Sequence, residues 1–197
     1  IGYFSFTKKA ANEAATRAAD KFNLDKETDL ENFRTLHSFA FHKLGMLKEK
    51  MMQPEDYREF GEKCGIPIKT AKFSTDDGTF NSDNEYLTII NTARVKRKDL
   101  LEYYDSRKNI LDIERSTLYL LAEELKKFKE EKGLKDFTDL LEDFIEKDIQ
   151  PKFEVLFIDE AQDLSKIQWE MVKVLWSSAK KTYIAGDDDQ AIFKWAG

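Results

Sequence analysis

Two adjacent carboxylates, Asp159 and Glu160, close the apolar run Val155-Leu156-Phe157-Ile158, which follows the chain breaker Pro151. Four large apolar residues in succession predict a buried parallel strand with apolar cover on both faces. The pair then stands at the carboxyl end of that strand, where open α/β sheets receive their ligands. Consecutive residues leaving a strand point in different directions, so the two can divide labour. One carboxylate can hold a hard cation such as Mg²⁺, while the other orients or deprotonates a water. An isolated Asp-Glu is more often a solvated acidic turn, so the neighbouring sequence has to decide.

A second apolar strand, at 182–185, runs into Gly186-Asp187-Asp188-Asp189-Gln190. Three successive carboxylates repel one another unless a cation, basic groups or water offsets them. A fully solvated turn accounts for Asp188 but less well for the neutral, bidentate-capable Gln190 that follows. Ala191-Ile192-Phe193-Lys194-Trp195 then alternates large apolar residues with small or basic ones. Aromatic rings beside a cation near a strand end can stack bases and touch a nucleic-acid backbone. Core packing is the rival reading for both rings, and for Phe193 the two are evenly matched.

The elements that position these groups can be read along the chain. The opening strand at 1–6 gives way at Thr7, a suitable N-cap, to an alanine-rich helix. Thr7-Lys8-Lys9 offers backbone N–H groups, a hydroxyl and two ammonium groups to a phosphate, or is an ordinary strand-to-helix turn with solvated lysines. After a charged linker at 23–32, Thr35-Leu36-His37-Ser38 starts a second helix whose buried face is Leu36, Phe39 and Ala40. Neutral His37 and Ser38 are short hydrogen-bonding groups suited to a phosphate or sugar, or to capping.

From 45 to 147 the character changes to charged, amphipathic segments. The pattern predicts a helix starting at Pro54, a hairpin or exposed loop over 73–84, a long helix over 85–107 and another over 113–132 stopped by Gly133. A further helix is capped by Asp136 or Thr138, with Phe137, Leu140 and Leu141 turned inward. Arg94, Lys96, Arg97 and Lys98 form a dense basic cluster, either a solvated face or a surface for DNA. Beyond the acidic pair, 162–165 closes a turn, and Ile167, Met171, Val172, Val174 and Leu175 form a helical stripe against the sheet.

Composition sets outer bounds. A chain of 197 residues with 41% hydrophobic and 36% charged content suits one or two helix-rich domains. Its one cysteine, Cys64, cannot form an internal disulfide, which points to a reducing cytoplasm. No apolar run approaches the roughly 20 residues of a membrane span. A net charge of −6 argues against a generally basic nucleic-acid coat but not against a local basic groove. The chain begins with Ile inside a strand, as an excised or processed fragment would.

Taken together, VLFIDEAQDLS and IAGDDDQAIFKWAG resemble motifs II and III of the superfamily 1A DNA helicases of the UvrD/Rep/PcrA type. FSFTKKAANEAA is similar to motif Ia of that family, TLHSF to motif Ib, and DFTDLL to the segment leading back into the ATPase core. The resemblance implies an α/β, RecA-like P-loop NTPase core (domain 1A) with a parallel sheet, carrying a mostly helical inserted domain (1B). It divides the chain into 1–44, 45–147 and 148–197, the middle part being the insertion. The implied parent is a cytoplasmic, ATP-dependent 3′-to-5′ DNA helicase or translocase that moves on single-stranded DNA and meets single-strand/duplex junctions, using ATP and Mg²⁺.

By the same match Asp159 binds the metal, Glu160 activates the attacking water and Gln190 senses the γ-phosphate. Gln162 and Asp187 lie at the nucleotide. Phe6, Thr7, Lys8, Thr35, His37, Ser38, Phe193 and Trp195 contact DNA, Phe6 at a base. Two departures stand out. Ala196 replaces an Arg that many relatives carry, and no G-x-x-x-x-G-K-[ST] phosphate loop is present. In the family that loop precedes motif Ia and motifs IV to VI follow motif III, so these residues alone are expected neither to bind ATP tightly nor to hydrolyse it. A non-enzymatic DNA-binding or interaction module that kept the fold, and a P-loop ATPase acting on something other than DNA, are the alternatives.

Overall fold

A threonine caps each of the helices that follow the first two strands. In the computed structural model, which describes residues 1–74, 76–187 and 189, Thr7 Oγ1 accepts from the Ala10 N–H at 3.2 Å and Thr35 Oγ1 from the Ser38 N–H at 3.2 Å. The described elements follow the order β1 (Gly2–Ser5), α1 (Lys8–Phe22), β2 (Phe33–Thr35), α2 (Leu36–Lys43), α3 (Pro54–Cys64), β3 (Ala71–Phe73), β4 (Phe80–Ser82) and α4 (Glu85–Val95). Then come α5 (Leu100–Asp105), α6 (Arg115–Lys132), α7 (Phe137–Glu146), β5 (Phe153–Ile158), α8 (Lys166–Ser177) and β6 (Ala179–Ile184). This is the α/β class expected, and no helix among the described residues is long and apolar enough to cross a membrane.

The chain divides into two compact units, one comprising Ile1–Met46, Thr75–Asp77 and Leu140–Gly197, the other Leu47–Ser74 and Gly78–Asp139. The first contains a four-stranded parallel sheet in the order β2-β1-β5-β6. Leu156 and Ile158 are buried from one face of it, together with Met171, Val172 and Leu175 of α8 and the rings of Phe4, Phe39 and Phe144. Phe4 meets Phe39 edge-on at 4.8 Å, and each such fully buried large side chain contributes on the order of 1.5–3 kcal/mol. Ser165 and Gln168 form a capping box that starts α8.

The opposite face departs from the expectation of cover on both sides. The side-chain period of two sends Phe157 away from Leu156 and Ile158, and it keeps 36% of its surface. Strand register lines Phe33, Tyr3, Phe157 and Tyr183 into one row across all four strands. Within that row Tyr3 stacks on Phe33 at 5.0 Å and Phe157 on Tyr183 at 5.2 Å.

The second unit has its own apolar core, including Tyr57, Phe60, Leu87, Leu118, Leu125 and Phe128. Where a hairpin or loop is expected over 73–84, β3 and β4 pair antiparallel, Ala71 with Ser82 and Phe73 with Phe80. Glu114 caps α6, which starts slightly later than the pattern predicts, and Gly133 ends it at φ +62°. The long helix expected over 85–107 is instead two, α4 and α5. Arg97 turns into the left-handed region at φ +51°, and Asp99 caps a new helix through the Leu101 and Glu102 N–H groups.

The basic cluster is likewise not one uniform surface. Arg94 lies inside a charged quartet, donating to Asp136 at 2.8 Å and to Asp139 at 2.5 Å, while Lys129 Nζ stands 2.7 Å from both carboxylates. Asp136 also caps α7, taking the Asp139 N–H at 2.8 Å, and Asp139 returns the bond to the Asp136 N–H at 2.7 Å. Burial alone would raise the Asp136 carboxyl, but the Arg94 and Lys129 charges outweigh it and hold that carboxyl well below its ordinary range. Because the folded value is depressed, its contribution is present at neutral pH and is lost as pH falls below the ordinary carboxylate range. Asp136→Ala removes a buried partner and a cap together, so urea denaturation followed by circular dichroism should show a loss of about 3–5 kcal/mol. A loss below about 1 kcal/mol would instead rank the quartet with screened surface pairs.

Candidate functional site

The carboxyl end of the sheet is fixed by backbone hydrogen bonds between strands. The Asp159 N–H donates to the Phe4 carbonyl at 2.8 Å, the Ala185 N–H to the Ile158 carbonyl at 2.8 Å and the Ala161 N–H to the Ala185 carbonyl at 3.0 Å. Asp159 and Glu160 therefore leave β5 flanked by the ends of β1 and β6, at the position their sequence predicts. Glu160 adopts φ +53°, ψ 41°, a left-handed conformation that costs a non-glycine residue on the order of 1–3 kcal/mol and that recurs at functional sites. This turn separates the two carboxylates and leaves Glu160 exposed while Asp159 is half-buried.

Gln162 ties the two strand ends together. Its Nε2 donates to Glu160 Oε2 at 2.6 Å, and its Oε1 accepts from the Asp187 N–H at 2.9 Å. A Cβ at position 186 would lie 2.7 Å from Gln162 Oε1, so any larger residue there would displace the Gln162 amide. Asp187 Oδ1 in turn accepts from the Asp189 N–H at 3.0 Å. The structure thus brings together Asp159, Glu160, Gln162 and Asp187. Gln190, Phe193 and Trp195 lie outside the described residues.

Sequence reading missed Tyr3. Its phenol donates to Asp159 Oδ2, and burial followed by that hydrogen bond and the nearby negative charge raises its ionisation well above the ordinary tyrosine value. The one signal available was a hydroxyl-bearing aromatic in the opening strand. Ser5 is a second omission, a 1%-exposed hydroxyl at the end of β1 without a hydrogen-bond partner among the described residues.

The donor chemistry at this strand end fits Mg²⁺. The cation takes hard oxygens and in nucleotide sites uses one or two carboxylates, the phosphates supplying the rest. Asp159 and Glu160 provide such oxygens, and the phenol occupies only Oδ2 of Asp159. Among the described residues no group of three or more His, Cys, Asp or Glu side chains converges to hold a metal by itself.

The residues expected to meet DNA divide into two sets. Lys8, Thr35 and Ser38 share an open groove of about 660 Å³ that continues past Asn12, Lys26 and Arg34. Phe6 and His37 are 4% and 9% exposed, so in this arrangement neither ring is presented to a base or sugar. Burial pushes the His37 imidazole down to about 4, against the opposing influence of Asp77, and keeps it neutral at pH 7. Thr7 is half-buried and its oxygen caps α1.

Two backbone N–H groups of the Thr7-Lys8-Lys9 turn, those of Lys8 and Lys9, are already engaged within the chain. Lys8 N–H donates to the Asp76 carbonyl at 2.9 Å, Lys9 N–H to Asp76 Oδ1 at 3.3 Å and Ala11 N–H to the Thr7 carbonyl at 3.1 Å. An acidic loop residue already supplies the anion that a helix N-terminus favours.

A family description, the UvrD/REP helicase N-terminal domain, matches residues 1–197. A probable DNA helicase II homolog of Mycoplasma pneumoniae is 24% identical over 98% of this chain and 29% of its own length. The ATP-dependent DNA helicase Rep of Buchnera aphidicola is 23% identical over 98% of the chain and 30% of its own length. ATP-dependent DNA helicase PcrA of Staphylococcus aureus is 44% identical over 48 residues, 24% of the chain. The chain therefore spans about 30% of the length of the relatives that match it throughout. The match over its full length, the parallel sheet and the acidic pair at the end of β5 agree: the chain belongs to the UvrD/REP helicase N-terminal domain family.

Proposed function

We propose that this chain is the nucleotide- and DNA-handling portion of an intracellular, ATP-dependent 3′-to-5′ DNA helicase that moves along single-stranded DNA and meets single-strand/duplex junctions. In this reading the unit rich in α-helices is the inserted domain, and ATP and Mg²⁺ are the cofactors. The observation that carries it is the clamp at the sheet end, where Gln162 holds the left-handed Glu160 to the Asp187 backbone.

In this reading the site residues divide the work. Asp159, half-buried with one oxygen engaged by Tyr3, presents the other to a cation. Mg²⁺, when bound with ATP, neutralises charge on the phosphates. Glu160, exposed and held by Gln162, accepts the proton of a water aligned on the terminal phosphate. Gln162 links that carboxylate to the segment after β6, so a change at the nucleotide alters the path towards Gln190, Phe193 and Trp195, the proposed γ-phosphate sensor and base-stacking pair. Phe6, Thr7, Lys8, Thr35, His37 and Ser38 serve the strand. Lys8 and Ser38 can do so along their shared groove, while Thr35, at 8% exposure, must first be uncovered, as must Phe6 and His37.

Glu160→Gln keeps an acceptor for Gln162 and removes the base. In the full-length protein it should lower DNA-stimulated ATP hydrolysis by about 10²–10⁴-fold while nucleotide-analogue affinity stays near wild type. Retained hydrolysis would reject the assignment of Glu160 as the base. A second expectation concerns the acidic loop. Asp76→Ala removes a carboxylate from the α1 N-terminus and should tighten single-stranded DNA binding by about 2- to 5-fold at low salt, read by fluorescence anisotropy. Unchanged or weaker binding would show that DNA does not compete for that helix end.

A further inference from the structure

The Tyr3–Asp159 contact joins residues at opposite ends of the sequence and is set by strand pairing. In the β1–β5 register Tyr3 lies opposite Phe157 and Phe4 opposite Ile158, while the Asp159 N–H is bound to the Phe4 carbonyl. Alternation along a strand puts the Tyr3 side chain on the face shared by Phe157 and the residue two beyond it, Asp159. The phenol thereby reaches Asp159 Oδ2. From the other side the Tyr3 ring lies on Phe33 of β2, with centroids 5.0 Å apart and planes 14° from parallel. The ring is thus held by one neighbouring strand while its hydroxyl holds a carboxylate on the other.

We infer that Tyr3 is a positioning residue for Asp159, fixing the carboxylate so that Oδ1 rather than Oδ2 faces the divalent cation of the nucleotide. The inference rests on the proposed role of Asp159 as the cation's ligand. A carboxylate at a strand end can rotate about its side-chain torsions, and both oxygens are chemically equal until one is engaged. The phenol removes that equivalence. It also satisfies part of the negative charge without a full counter-ion, leaving the group attractive to a cation. Hydrogen-bond partners behind a metal ligand orient it in this way, and their loss commonly lowers metal affinity by about 10–100-fold.

The test uses Mn²⁺ as the probe, with the full-length protein and a non-hydrolysable ATP analogue, binding being followed by electron paramagnetic resonance. Tyr3→Phe deletes only the hydroxyl and keeps the ring on Phe33. It should weaken Mn²⁺ affinity by about 10-fold or more, while nucleotide-free binding to single-stranded DNA and the thermal midpoint stay near wild type. A purely structural role for the phenol would instead lower the midpoint and leave Mn²⁺ affinity unchanged, which overturns the inference, as does tighter Mn²⁺ binding. Asp159→Asn separates the two levels. If it loses Mn²⁺ while Tyr3→Phe does not, only the Tyr3 role fails; if it too binds Mn²⁺ like wild type, the role of Asp159 falls and the inference with it.

Discussion

Parallel pairing between β1 and β5 is the constraint on which the site depends. A parallel ladder fixes register along its whole length, and a slip of one residue would turn every side chain to the other face. The observed register sends Phe4, Leu156 and Ile158 into the core. It also brings Tyr3 to Asp159, aligns the row of rings from Phe33 to Tyr183 and sets the ends of β1 and β5 beside each other. The geometry of the acidic pair is therefore a by-product of core packing. The hydrophobic drive that buries Leu156 also decides which way Asp159 faces, and Glu160 escapes the strand's alternation by turning left-handed.

What could be read from the sequence was what local chemistry decides. The cap at Thr7, the cap at Asp136 as one of two candidates with Thr138, the stop at Gly133 and the apolar run that became β5 are each set by residues within a turn of one another. The acidic pair was legible for the same reason, since an abrupt change from apolar to charged marks a strand end without knowledge of its neighbours. The break between α4 and α5 was not, because no glycine or proline marks it and Arg97 takes up a conformation that its side chain disfavours. Arg94 and Tyr3 were beyond reach for another reason. Their partners lie 42 to 45 and 156 residues away, and no periodicity encodes which carboxylate a distant cation or phenol will meet. The open face around Phe157 was misread because an apolar run records what a strand can tolerate rather than what covers it.

Charge is handled differently in the two units. In the helix-rich unit Arg94 and Lys129 are matched by Asp136 and Asp139 at hydrogen-bond distance, so the charges are neutralised where they are buried and help define how α4, α6 and the start of α7 meet. In the sheet unit the two carboxylates of the acidic pair are held by neutral donors instead, a phenol for Asp159 and an amide for Glu160. Neutral donors fix a carboxylate in place without cancelling its charge.

That difference bears on how one surface could serve both a cation and a polyanion. The groove beyond Lys8 is lined by both signs of charge, Lys26 and Arg34 with Glu27 and Glu31, the Lys8 and Lys9 N–H groups already hold Asp76, and the chain carries a net charge of −6. A phosphate arriving at α1 gains little by adding to an anion already there, since the helix dipole is largely satisfied; it gains by replacing it. Exchange of one anion for another costs less than opening a buried contact and conserves the hydrogen bonds of the helix end. Were the strand to bind at the start of α1 as proposed, the Asp76 carboxylate would be the anion it replaces there.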